Sequence, residues 1–325
     1  MMPNFSYTRV ATVEEALGLL SSPRARLHAG GTDLLGCLRD HVFDATTVVS
    51  VSRIKALQRI AETTDGGLRI GALATLAEIA ENSLVRQKYP GLAQAALSVA
   101  SPQIRNQGTL GGNLCQKPRC WYYRGEFHCL RKGGDRCYAV AGENHYHCVF
   151  GGGGCFIVHP SDVAPMLTAL EAAVRVAGPA GIRSVRIADF FVLPEKDPTR
   201  ETALGTGEIV TDVIIPRPSP GLMTSYRKVR ARRSWDFALA GAALAVRFDQ
   251  GTVKEARVVL SGAAPVPWRS VEAEQAVMGR KLNAATAAEA AGAALKSARP
   301  LEHNGYKVPL LRGIIEEELT AMAQG

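Results

Sequence analysis

The apolar positions fall into segments of two periods, cut by glycine- and proline-rich breaks. ARLHAGG (25–31) reads as a short strand ending in a tight glycine turn, and TDLLGCLRD (32–40) as the helix after it. TTVVSVS (46–52) is β-branched and strand-like, LRIGALATLAEIAEN (68–82) predicts strand, turn and helix, and PGLAQAALSVA (90–100) predicts an alanine-rich helix opened by proline. A polar, glycine-rich stretch, SPQIRNQGTLGGNL (101–114), comes next. Regular patterning resumes with a strand at CFIVHP (155–160), then a helix over SDVAPMLTALEAAV (161–174) with Ser161 or Asp162 as its cap. VRVAG (174–178), SVRIADFF (184–191) and EIVTDVIIP (208–216) read as further strands. PRPSPG (216–221) is the clearest linker. Beyond it SYRKVRA, FALAGAALAVRFD and VKEARVVLSG predict an antiparallel meander of three strands. NAATAAEAAGAALKSA and VPLLRGIIEEELTAMA then predict two closing helices.

This order lacks the steady βαβ alternation of a doubly wound sheet. It predicts an α+β chain with a larger domain over 1–217 and a smaller α+β domain over 222–325. No internal repeat is visible.

Composition narrows the class. The 325 residues are 46% hydrophobic and 21% charged, in the range of ordinary globular enzymes. No apolar run matches a membrane span, and the N-terminus has no basic segment followed by an apolar core, so neither membrane insertion nor a signal peptide of its own is expected. The net charge of +8 is dispersed; its densest cluster, Arg227 to Arg233, lies in a strand-like context. That pattern suits a solvated face, a phosphorylated ligand or an acidic partner better than nucleic acid.

Two loops suit an anion. Ala29-Gly30-Gly31-Thr32-Asp33 follows a strand and opens a helix, and Thr109-Leu110-Gly111-Gly112-Asn113 is of the same kind. Consecutive glycines let main-chain N–H groups approach a phosphate closely. Neither loop is GxGxxG or a P-loop. A pair of them fits a diphosphate cofactor without saying which, and each alone reads equally as a plain strand-to-helix turn.

The third feature is the segment from Cys115 to Cys155, which holds six of the seven cysteines. Eight, seven, ten and six residues separate Cys120, Cys129, Cys137, Cys148 and Cys155 in turn, and no CxxC pair occurs. A zinc ribbon or a ferredoxin-type run is therefore excluded. Four thiolates in a folded loop can hold a [4Fe–4S] cluster, with Arg119, Arg124, Arg131, Lys132 and Arg136 offsetting its charge. Disulfides, a structural zinc with His145 or His147, and free buried thiols are the competing readings.

AGGTDLL (29–35), TLGGNLCQ (109–116), HPSDVAP (159–165) and YRKVR (226–230) occur in this order. Together they resemble the FAD-binding subunit of the xanthine dehydrogenase, or molybdenum hydroxylase, family over essentially the whole chain. The cysteine insert resembles two [4Fe–4S]-bearing branches, the 4-hydroxybenzoyl-CoA reductase β subunit and the FAD subunit of bacterial periplasmic aldehyde oxidoreductases. RCWYY, HPSD and YRKVR look closer to the latter.

The resemblance implies a two-subdomain FAD-binding fold of the vanillyl-alcohol-oxidase (PCMH) type. It implies FAD contacts from Leu27, His28, Ala29, Gly30, Gly31, Thr32, Asp33 and Leu34 around the diphosphate, and from Thr109, Gly112 and Asn113 at the phosphate and ribityl chain. Asp162 would contact the ribityl chain or ring, and Lys228 would approach the flavin from the C-terminal domain. The implied cluster ligands are Cys120, Cys129, Cys137 and Cys155, with Cys148 left over. The implied role is electron transfer within a hetero-oligomer that also holds a molybdenum-cofactor large subunit and a [2Fe–2S] small subunit. No catalytic acid–base set is expected. The location follows as cytoplasmic, or periplasmic by export with a partner. A zinc-stabilised interaction subunit and a stand-alone flavin oxidase are the alternative functions.

Overall fold

The computed structural model describes residues 2–324 and contains three sheets. The first is parallel: β1 (Ser6–Arg9), β2 (Ala25–His28) and β3 (Thr47–Ser50) in the order β1-β3-β2. Helices Val13–Leu20 and Leu34–Arg39 make its crossovers, so a βαβαβ unit occupies the N-terminus although the chain as a whole lacks that alternation.

The second sheet joins β4 (Ile60–Glu62), β5 (Leu68–Gly71), β6 (Ala173–Gly178), β7 (Gly181–Arg186) and β8 (Ile209–Ile215) in the order β4-β5-β8-β6-β7, with every pair antiparallel. Between β5 and β6 the chain leaves the sheet for a helical run that includes Leu76–Glu81 and Pro90–Leu97, then the cysteine insert, then helix Val163–Ala169. Residues far apart in sequence thereby meet over one core.

The third sheet departs from expectation. It has four strands, β9 (Leu222–Val229), β10 (Ala240–Asp249), β11 (Thr252–Ser261) and β12 (Trp268–Arg269), in the order β12-β11-β10-β9. The added strand is two residues long, too short to show a period. Helices Val271–Val277, Ala284–Leu295 and Lys307–Met322 complete this part, the first of them also unforeseen.

FALAGAALAV reads as a continuous apolar run because β10 is covered on both faces. Ala243 and Ala245 join the core under the second sheet, whereas Ala240, Ala242, Leu244 and Val246 join the core under the C-terminal helices. Small side chains let both layers approach the same strand.

Three other expectations are corrected. CFIVHP forms no strand; it is extended chain held by single bonds, such as Cys148 N–H to Phe156 O at 3.0 Å and His159 N–H to Ala264 O at 2.9 Å. The helix after it stops at Ala169, because Glu171 takes a left-handed φ of 54° and turns the chain into β6. SVRIADFF is the end of β7 followed by a short helix, Ile187–Phe190. Among the described residues no helix is long and apolar enough to cross a membrane.

Candidate cofactor site

The first glycine loop leaves β2 and closes against the second. A Cβ on Gly30 would lie 1.8 Å from the Gln107 carbonyl oxygen, so only glycine permits this approach. Gly31 has φ +73°, and a Cβ there would lie 2.6 Å from His28 Nε2. The second segment is no open loop: after helix Pro102–Gln107, Thr109 caps a short helix, Leu110–Leu114, its hydroxyl accepting from Gly112 N at 3.2 Å.

The two loops border one cleft of about 860 Å³. Leu27, Ala29, Gly30, Gly31, Thr32, Asp33 and Leu34 line it from one side and Thr109, Gly112 and Asn113 from the other. The size suits a dinucleotide-scale ligand. His28 lies behind the lining. Its Nδ1 is buried without a partner, and burial pulls its pKa down.

Cationic and apolar groups that the sequence motifs did not single out as lining also reach the cleft: Lys117, Arg119 and Arg131 from the insert, the chain from Thr199 to Val210, and the exposed Trp235 and Phe237. The loop from Thr199 to Gly207 carries no motif, which is why only folding reveals it.

Asp33, which lines the cleft, has a further part. Its carboxylate accepts from Lys117 N–H at 2.7 Å and from Arg124 Nη2 at 2.7 Å, and Arg119 Nη1 lies 2.9 Å away. The side chain thus ties the glycine loop to the cysteine insert. Asp162 and Lys228, by contrast, lie off the cleft lining. Lys228 Nζ donates to Asp162 Oδ2 at 2.7 Å, and the Tyr226 hydroxyl donates to Oδ1 at 2.8 Å. The Asp162 oxygens are engaged by protein donors. Helix Val163–Ala169 is capped instead by Ser161, whose hydroxyl accepts from Ala164 N at 3.0 Å.

The insert is mostly irregular, with a short helix Trp121–Arg124 and a 3-10 turn Leu130–Lys132. All seven cysteines are free thiols. Cys120, Cys129, Cys137 and Cys155 line one small cavity together with Tyr122, Tyr123, Arg131 and His147. Cys148 is not among them; it is buried elsewhere, and burial pushes its thiol up to about 12. The Cys137 and Cys155 thiols perturb one another, Cys137 lowered and Cys155 raised. His147 Nε2 is 3.3 Å from Cys120 Sγ. Among the described residues no three His, Cys, Asp or Glu side chains converge closely enough for a single metal ion. His145 stands apart, stacked on Tyr306 with ring centres 4.6 Å apart.

The C-terminal part grips the insert from outside. Asn304 Nδ2 donates to the His147 and Cys148 carbonyls, each at 3.1 Å, and the fully buried Lys307 donates to Gly262 O at 2.7 Å and Tyr146 O at 3.3 Å.

Comparison with known proteins places this arrangement. Residues 3–218 match the family described as FAD binding domain in molybdopterin dehydrogenase, and residues 224–316 match the CO dehydrogenase flavoprotein C-terminal domain. The chain is 38% identical, over 96% of both chains, to the FAD-binding subunit PaoB of an Escherichia coli K12 aldehyde oxidoreductase. It is 30% identical to the xanthine dehydrogenase FAD-binding subunit of Escherichia coli O157:H7, over 86% of this chain and 82% of that one. A chain of the carbon monoxide dehydrogenase structure from Hydrogenophaga pseudoflava superposes with a TM-score of 0.79 at 26% identity, covering 99% of each. The chain belongs to the family of FAD-binding subunits of molybdenum hydroxylases.

Proposed function

We propose that this protein is the electron-transfer subunit of a hetero-oligomeric aldehyde oxidoreductase, with FAD in the cleft and a [4Fe–4S] cluster in the cysteine cavity. Its partners are a molybdenum-cofactor large subunit and a [2Fe–2S] small subunit, and electrons leave through the flavin to an external acceptor. The observation that carries the reading is the gathering of four thiols, spread from Cys120 to Cys155, around one cavity next to the glycine-bordered cleft.

When bound, FAD supplies exchange of electrons singly or in pairs and a cluster supplies one-electron transfer. The chain's own residues bind and orient. Main-chain amides of Gly30, Gly31 and Thr109 would hold the diphosphate, Gly112 would admit its close approach, and Lys117 and Arg119 would offset its charge. Leu27, Ala29 and Leu34 supply apolar wall, with Thr32 and Asn113 as polar contacts. His28 props the first loop at Gly31, while Asp33 holds that loop to the insert. Asp162 and Lys228 act from behind the lining as a rigid pair. Cys120, Cys129, Cys137 and Cys155 act as thiolate ligands, and Arg131 stands beside them as counter-charge. The chain works as two domains, 1–217 and 222–325, joined at PRPSPG.

Flavin, iron and acid-labile sulfide analysis of the complex, purified anaerobically with its partner subunits, tests the reading. Bound FAD and iron beyond that of the [2Fe–2S] partner support it. A complex with neither refutes it; FAD without the extra iron refutes the cluster alone.

A further inference from the structure

Tyr123 and Arg131 line both the cysteine cavity and the cleft, and so form the wall between them. Arg131 is 4% exposed. Its Nε and Nη2 donate to Glu201 Oε1 at 3.1 and 2.6 Å, and its Nη1 to Pro198 O at 2.7 Å. The other Glu201 oxygen receives Lys117 Nζ. Lys117 in turn donates its main-chain N–H to Asp33 in the glycine loop. A continuous chain of charge-assisted bonds therefore runs from the wall of the cysteine cavity, through Glu201 and Lys117, to the loop that borders the cleft. Glu201 is the carboxylate in it that joins the wall to the cleft, bonded to Arg131 in the wall and Lys117 in the cleft.

We propose that Glu201 is a positioning residue that couples the two sites, fixing Arg131 in the shared wall and Lys117 at the cleft, so that filling the cysteine cavity strengthens FAD binding. The proposal rests on the functional reading above. Its physical basis is rigidity. Thiolates drawn onto a cluster hold the Leu130–Lys132 turn that carries Arg131. Arg131 then holds Glu201, and Glu201 holds the cation facing the flavin phosphates. With the cavity empty, the turn is free to shift and that relay slackens. Coupling of this kind is reciprocal, so bound FAD also retains the iron.

The test uses the full complex. Iron is removed progressively with ferricyanide and EDTA, and FAD affinity is measured at each iron content by recovery of flavin fluorescence on dilution. Wild-type complex is expected to lose at least tenfold in FAD affinity as the iron of this subunit is removed. In E201Q the affinity is expected to change by less than twofold over the same range. K117M keeps the Arg131–Glu201 pair and alters a side chain that is 31% exposed, so it remains informative should E201Q fold poorly; it is expected to lose the coupling too. Equal FAD affinity with and without iron in wild type overturns the coupling while leaving the functional reading intact. An undiminished iron dependence in K117M assigns the coupling to some other contact and overturns the role of Glu201. A wild-type complex without this iron overturns both.

Discussion

The Lys228 ammonium meets the Asp162 carboxylate at 2.7 Å with the two side chains only 3% and 4% exposed, and so joins the C-terminal sheet to helix Val163–Ala169. Burial raises the Asp162 carboxyl, while Lys228 and the Tyr226 hydroxyl pull it back down. Such a pair stabilises little against an apolar replacement but is costly to break on one side. K228M is therefore expected to lose about 3 kcal/mol of stability, and adding D162N to recover most of that loss. A denaturant double-mutant cycle measures both; losses that simply add would show that the two groups do not interact.

The close approach of Gly30 to Gln107 makes a second prediction. In G30A a methyl group would lie 1.8 Å from a carbonyl oxygen, so one of the two cleft-bordering loops must retreat. FAD content after gel filtration is expected to fall at least tenfold, which corresponds to about 1.4 kcal/mol or more of binding free energy. G31A combines a left-handed φ with a contact to the His28 ring, which is a side chain and can turn aside. Its expected loss of FAD is smaller. Equal retention of FAD by G30A and wild type would mean that the loop contact does not shape the cleft.

The cysteines divide by location. Cys148 is buried outside the cavity, near Lys307, whereas Cys155 lines the cavity. C155S is expected to lose iron, together with its visible absorption. C148A is expected to keep both and to unfold at lower temperature through lost packing. Iron loss in C148A with retention in C155S would reverse the ligand assignment.

Much of the fold was legible because its segments obey their own periods. The β-branched TTVVSVS became β3, and the continuous apolar run of β10 belongs to a strand covered on both faces. The first glycine segment was legible as a loop, because backbone approach leaves a mark in residue type; the second was not, since Leu110–Leu114 forms a short helix capped by Thr109. What the sequence concealed depends on long-range partners. CFIVHP has strand composition but finds no neighbouring strand to pair with. The two residues of β12 show nothing until β11 lies beside them. Glu201 is one carboxylate in an unremarkable loop, and only folding sets it between Arg131 and Lys117. Asp33 and Asp162 stood out in motifs, yet the motif could not show that protein donors would engage their carboxylates.

His159 carries the clearest pH dependence outside the cysteine cavity. Its ring is 7% exposed, packs edge-on to Phe191 at 4.4 Å, and accepts from Ser161 N–H at Nδ1, 3.3 Å away; Nε2 has no partner. Burial pulls its pKa from 6.5 down to about 4. The group is thus depressed on folding. Its contribution to stability is fully present above pH 6.5 and is lost as pH falls through 4, because the unfolded chain takes up the proton first. A shift of that size corresponds to about 3 kcal/mol. Between pH 7 and pH 4.5 wild type is expected to lose roughly 2.5 kcal/mol more than H159L, which has no proton to bind. Guanidinium titrations of both proteins at the two pH values measure the difference, and parallel losses would show that His159 stays neutral in neither state or in both.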